Sequence, residues 1–299
     1  MSEVINLIDG NPDAHVYLDA VNILKEKLND DYSFVLQVWN HPIPKDTKYK
    51  KILILTSDET HGIPKQANDE DVHHVFKQYA PMSDMRNPAA VVEVKNVSAL
   101  PLCHLEGHSR QNYKRIKQRE LVWSWAGQFD PYRRVGFKNN IELLKRYSDE
   151  RNIPYECHWY QGWNNGVSIS EYSKMVNNTK VMFAPTGSAS LETFRFFEAM
   201  MSGCIVFTFG ELPHGKIYNF HNETLKGLKQ ELNDRLLINY FDPFGSEDIS
   251  MMKALVDWVD FNPDKAQEMS ADAMKWYDMM CSPEGLSEYM IQELENKNV

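Results

Sequence analysis

Apolar runs and amphipathic stretches alternate along this chain, and their periods set out most of its elements. Val4–Ile8 reads as a short strand, and Asp13–Leu28 as a helix with Val16, Ala20, Ile23, Leu24 and Leu28 at helical spacing. Tyr32–Trp39 predicts a second strand. Lys50–Thr56 (KKILILT) is continuous and apolar, as in a parallel sheet covered on both faces. His74–Tyr79 and Val91–Val97 predict shorter strands, so the first half should close a sheet of its own near Leu100. The alternation is plainer afterwards: strand at Leu121–Ala126, helix at Gly136–Asp149, strand at Tyr155–Tyr160, helix at Ser170–Asn177. From Thr224 onward the pattern is mostly helical, with Pro263 and Pro283 as breaks. The expected architecture is α/β, two doubly wound Rossmann-like domains with a cleft between them. The expected domains are 1–100, 101–282, and a C-terminal helix over 283–299 that returns to the first.

Lys180–Phe209 carries the densest signal. It reads as a buried strand (Val181–Ala184), a small-residue loop (Pro185 to Ser188), a helix from about Ser190 to Met201, a glycine stop at Gly203, and a second buried strand (Cys204–Phe209). Loop amides at a helix N-terminus favour an anion. The helix is apolar nearly all round, yet Glu192, Arg195 and Glu198 recur every third residue as one polar stripe. Charges on so apolar a helix need partners or a ligand. The plain alternative is a structural Glu–Arg–Glu ladder.

Composition narrows the class. At 299 residues and 42% hydrophobic content the chain can bury a large core. No window approaches the 18 or more apolar residues of a membrane span, and the N-terminus lacks a basic segment followed by a long apolar core. Four cysteines far apart, with no CxxC, suit reduced thiols. A bacterial or viral cytoplasmic enzyme is the expectation. The net charge is −10, but between His108 and Arg146 ten Lys/Arg stand against three acids. A basic belt on an acidic protein points to a localised polyanion, such as a diphosphate or a nucleic-acid backbone. A solvated helix face is the plain reading of Arg110–Arg119.

Pro185, Gly187 and Ser188, then Thr193, Arg195, Phe197, Glu198 and Ala199, then Gly203, Cys204, Ile205 and Val206 resemble a run in GT-B glycosyltransferases, above all the inverting exostosin-like ones. The proline usual after the isoleucine is absent. Trp123-Ser-Trp-Ala-Gly127-Gln128, followed by Arg133 and Arg134, is similar to the family's strand ending in Ala-Gly before an Arg-led helix. The likeness covers roughly Pro101 to Phe209. It implies transfer of a sugar from a nucleotide-sugar donor, UDP-linked, to an acceptor hydroxyl, inverting and without metal. No further cofactor is expected.

That chemistry needs donors for the leaving diphosphate, a grip on the nucleoside and a base. For the diphosphate the candidates are Arg195, Ser188, the amides around Gly187, Gly127 at its strand end, and Arg133 or Arg134. Glu198 is the ribose candidate, by the role its counterpart holds in the family. Trp159, near the carboxyl end of its strand, could stack on the base, with plain core as the equal alternative. The catalytic base is sought at the end of KKILILT: Asp58, Glu59, then His61, with Asp9 as a fourth choice. Asp69-Glu70-Asp71 is a DxD with His73-His74 beside it, but a helix start or solvated loop is the commoner meaning of so short a motif. A glycan is the expected acceptor. The alternatives are a hydroxymethylated base in DNA, as for phage glucosyl- or arabinosyltransferases, and a non-catalytic nucleotide-sugar or glycan-binding module.

Overall fold

The computed structural model describes residues 2–8, 14–28, 31–38, 42–56, 65–78, 96–110, 113–128, 135–162, 165–185, 193–209, 212, 215–239 and 247–296, without the side chains of 215–216, 233–239 and 247–248. Two compact units divide the chain. The first comprises Met1–Glu106, Ser188–Phe194 and Tyr277–Val299; the second comprises Gly107–Gly187 and Arg195–Trp276.

The first unit is built on five parallel strands in the order β1-β2-β3-β4-β5: β1 Glu3–Leu7, β2 Ser33–Val38, β3 Lys51–Thr56, β4 Val72–Gln78 and β5 Val97–Leu100. Every residue of β3 is buried, as its unbroken apolar sequence requires, and Ile54 lies between Leu36 and Phe76. Strand order follows chain order, so each strand is added on the same side of its predecessor. Helix α1 (Ala14–Lys27) buries Val16, Tyr17, Ala20, Val21 and Leu24. Helix α8 (Pro283–Glu295) packs along α1 and is tied to the sheet, where the Ser98 hydroxyl donates to Glu293 Oε2 at 2.5 Å and the Tyr289 hydroxyl to Ala99 O at 2.8 Å.

The second unit has four parallel strands in the order β7-β6-β8-β9: β6 Leu121–Gln128, β7 Tyr155–Tyr160, β8 Thr179–Ala184 and β9 Ile205–Thr208. Here strand order reverses. From β6 the chain passes through α2 (Val135–Arg151) to β7 on one side, then through α3 (Ile169–Asn177) to β8 on the other. Helix α3 opens on a capping box, with Ser168 accepting from the Glu171 amide and Glu171 from the Ser168 amide. The core lies on Trp123 and Trp125, alternate residues of one face of β6, with Ile141 and Leu144 of α2, Phe183, Phe207 and the apolar side of α6 (Glu247–Phe261). Two further helices are α5 (Gly215–Asn239) and α7 (Pro263–Met280).

Between β8 and β9 stands α4 (Phe194–Met201). It stops at Gly203, whose φ of +67° is left-handed. The Gly203 amide donates to Met200 O and the Cys204 amide to Ala199 O, the paired bonds of a Schellman cap. Both sheets are thus Rossmann-like and parallel. Among the described residues no helix is long and apolar enough to cross a membrane.

Candidate functional site

Open parallel sheets bind ligands outside the carboxyl ends of their strands, where strand order reverses. In the second unit that place is the end of β6, and Arg195 lies against it. Arg195 belongs to the first turn of α4. Its Nε donates to Ala126 O at 2.7 Å, and its guanidinium carbon stands 4.9 Å from the centre of the Trp125 ring. Gly127 makes this approach possible: a Cβ there would come within 2.7 Å of Arg195 Nη2 and 2.6 Å of Trp125 Cζ2. One backbone bond and one ring therefore fix the guanidinium. Its terminal nitrogens make no hydrogen bond among the described residues, which leaves the fork that suits phosphate oxygens uncommitted.

One turn along, Glu198 is only 2% exposed, and its Oε1 receives no hydrogen bond among the described residues. A buried carboxylate oxygen without a donor is costly, so such atoms mark a place where a donor is wanted. Two aromatic neighbours feel its charge. Burial first, and then the Glu198 charge, hold the Tyr172 phenol well above its ordinary pKa. Its hydroxyl is also buried without a hydrogen-bond partner, so the two groups share proximity and not a bond of good geometry. His108, 3% exposed, is pushed below the usual histidine range by burial, while Glu198 pulls it partly back. Its Nε2 lies 3.2 Å from Glu198 O and 3.1 Å from Ser202 Oγ.

Trp159 faces the core, with its ring 5.2 Å from Trp125 and 6.0 Å from Phe137. The neighbouring residues behave differently. His158 stacks on Tyr160 with centroids 6.1 Å apart, and its Nε2 is 2.7 Å from Glu156 Oε1. Asp58, Glu59, His61, Asp9, Arg133, Arg134, Gly187, Ser188 and Glu192 lie outside the described residues. The structure therefore places Arg195 against Gly127, with Glu198 one turn along α4 and Trp159 opposite Gly127 on β7. Sequence reading missed Trp125, His108 and Tyr172. His108 and Tyr172 lie in no motif, and Trp125, though inside the run likened to the family's strand, has the same alternation signature as any core strand residue.

The acidic run has other uses. Asp71 pairs with the buried ammonium of Lys51, while His73 faces the Tyr32 hydroxyl and His74 the Ser98 hydroxyl at 3.1 Å. Among the described residues no three His, Cys, Asp or Glu converge on one point. The basic belt is also partly internal. Arg119 is 3% exposed and donates from Nε to Lys114 O, from Nη1 to Thr179 O and from Nη2 to Ser202 O at 2.6–2.9 Å. Arg110 Nε donates to Met201 O at 2.6 Å. Lys114 and Lys117 pair with Glu120 and Asp264.

No protein-family model matches the chain, and comparison with curated proteins gives no match. Among solved structures it is similar to a chain in the crystal structure of the GtfA/B complex, with a TM-score of 0.44 and 9% identity. That likeness covers 95% of this chain and 60% of the other, so the chain spans less than two thirds of its length. A likeness of that size carries no weight for function, which must come from the site itself. The described residues form a parallel α/β protein with the Arg195 guanidinium at the switch point of its second sheet.

Proposed function

We propose that this chain is a glycosyltransferase that moves a sugar from a nucleotide-sugar donor to an acceptor hydroxyl, with the donor held by the second unit. The observation that carries the reading is the Arg195 guanidinium, fixed over Trp125 at the end of β6 with its two terminal nitrogens making no hydrogen bond among the described residues. The acceptor oxygen attacks the anomeric carbon as the bond to the diphosphate oxygen breaks. The electron pair leaves on the diphosphate and the hydroxyl proton passes to a base. Charge growing on the leaving group is met by Arg195, a donor preorganised against the Trp125 ring. The buried Glu198 carboxylate, whose Oε1 receives no hydrogen bond among the described residues, suits the two ribose hydroxyls. Asp58, Glu59 and His61 are the proposed bases, and the exostosin-like run supports a UDP donor, a single inverting displacement and a glycan acceptor. The reaction proceeds without metal, because Arg195 and the loop amides supply the charge stabilisation.

The test is a thermal-shift panel of nucleotide sugars followed by product analysis in EDTA. We expect a UDP-sugar to stabilise the parent and not Arg195→Ala, and turnover to survive chelation. Equal stabilisation of both proteins would remove Arg195 from the donor site. Activity that vanishes with EDTA and returns with Mn²⁺ would overturn the metal-free mechanism.

A further inference from the structure

Two buried polar atoms of the second unit stand close together, and the donor chemistry above uses only one of them. Glu198 on α4 is 2% exposed and Tyr172 on α3 is 8% exposed. Glu198 Oε1 and Tyr172 Oη are each buried without a hydrogen bond among the described residues. A direct phenol–carboxylate bond to Oε1 would satisfy both atoms at once, and the geometry does not form it. The phenol nevertheless lies near both charges of α4. Burial first, and then the Glu198 carboxylate, raise its pKa, while the Arg195 guanidinium pulls it partly back. A cation, an anion and a hydroxyl from two helices therefore meet at one place.

What these two atoms can do selects the group that suits them. An ionised carboxylate only accepts hydrogen bonds, whereas a phenol that keeps its proton can donate one. A single atom that answers both must donate to Glu198 Oε1 and accept from Tyr172 Oη. An ionised phosphate oxygen only accepts and an amide N–H only donates, but a hydroxyl does both. Arg195, the proposed diphosphate contact, precedes Glu198 by three residues on the same helix. Three helical residues rise about 4.5 Å, a span that a ribose joined to that diphosphate covers.

We propose that Tyr172 is a specificity-determining residue of the donor site, which with Glu198 holds one ribose hydroxyl and so selects ribonucleotide over deoxyribonucleotide donors. The inference rests on the donor reading above and adds to it Tyr172 and the class of nucleotide rejected. A site built to hydrogen-bond a hydroxyl discriminates against the analogue lacking it, because its buried polar groups are left unpaired. The test is calorimetric binding of UDP, 2′-deoxy-UDP and 3′-deoxy-UDP to the parent, to Tyr172→Phe and to Arg195→Ala. The parent should bind UDP about 10–100-fold more tightly than one of the two deoxy forms. Tyr172→Phe keeps the ring, whose centre lies 5.9 Å from that of His108. It should cut the preference by about 3–10-fold while binding the deoxy form as the parent does. Arg195→Ala should weaken all three nucleotides alike and keep the preference. UDP bound without preference, or with a preference unchanged in Tyr172→Phe, would overturn the assignment of Tyr172 and leave the donor reading standing. Failure of the parent to bind any of the three would remove both.

Discussion

Replacing Arg195 with alanine removes a charge, a hydrogen bond to Ala126 O and a ring contact together, and the three differ in size. The hydrogen bond and ring contact are together worth about 1–2 kcal/mol of stability. Loss of a charged donor to a leaving group is worth about 3–4 kcal/mol of activation free energy. Arg195→Ala should therefore melt only a few degrees early while losing turnover by two to three orders of magnitude, about the size of that activation term. A variant that melts far earlier yet turns over normally would return the polar stripe to a structural ladder. Gly127→Ala tests the same geometry from the other side. Its Cβ would collide with Trp125 and Arg195, so we expect a stability loss of about 1–3 kcal/mol together with weaker donor binding.

His221 gives a prediction in pH. Burial first, and Lys229 second, lower its pKa to about 3, and its Nε2 lies 3.3 Å from Thr208 Oγ1. Above pH ~6.5 both folded and unfolded states hold it neutral, and its contribution to stability is complete. As pH falls toward 3 the unfolded state binds the proton and the folded state does not, so stability is lost. Between pH ~6.5 and ~5, before carboxylates titrate, the parent should lose about 1.5 kcal/mol that His221→Gln retains. Equal slopes in urea melts across that window would refute the burial argument. Arg195 and Glu198 were legible in the sequence because charge on an apolar helix is a conflict that asks for a reason. His108 and Tyr172 were not, since only packing brings α3 and the segment ahead of β6 to Glu198.

At the scale of elements, the runs with one clean period were read closely. Tyr155–Tyr160 comes out as written, the all-buried β3 starts one residue later than expected, at Lys51, and Gly203 ends α4 in the left-handed conformation that glycine tolerates. Boundaries slipped where a residue had two meanings. β6 runs on through Gly127 and Gln128, beyond the expected Ala126, because glycine there admits Arg195 and does not break the strand. α5 starts at Gly215, well before the expected Thr224, since Pro213 and Gly215 look like turn residues when context is missing. Arg119 is the largest departure. Spacing placed it on a solvated face, yet it is buried and joins the entry to β8 to the turn after α4 through Thr179 O and Ser202 O. Arg119→Ala leaves those carbonyls short of a donor and should cost about 2–4 kcal/mol. Lys117→Ala breaks only an exposed pair with Asp264 and should stay within about 0.5 kcal/mol. Equal losses in the two variants would mean that Arg119 is solvated after all.

At the scale of the whole molecule, the first unit depends on its last helix. Leu286, Met290 and Leu294 of α8 are buried, and each such side chain contributes about 1.5–3 kcal/mol. Their sum, about 5–9 kcal/mol, is comparable with the whole stability of an ordinary domain. Ending the chain at Ser282 should therefore unfold the first unit, seen as loss of amide protection across β1–β5, while β6–β9 stay protected. Protection retained in β1–β5 would show that α8 is dispensable.

The discontinuity of that unit also decides the order of events on the ribosome. Gly107–Gly187 and Arg195–Trp276 are interposed between Glu106 and Tyr277, so the second unit has all its strands before α8 has been made. At translation rates of about 5–20 residues per second, the opening five strands wait about 10–40 s for their covering helix. The usual N-terminal-first sequence of domain folding is thereby inverted. A nascent chain of this protein carries a finished second unit behind an unfinished first one, whose bare α1 surface is the part a chaperone would have to shield.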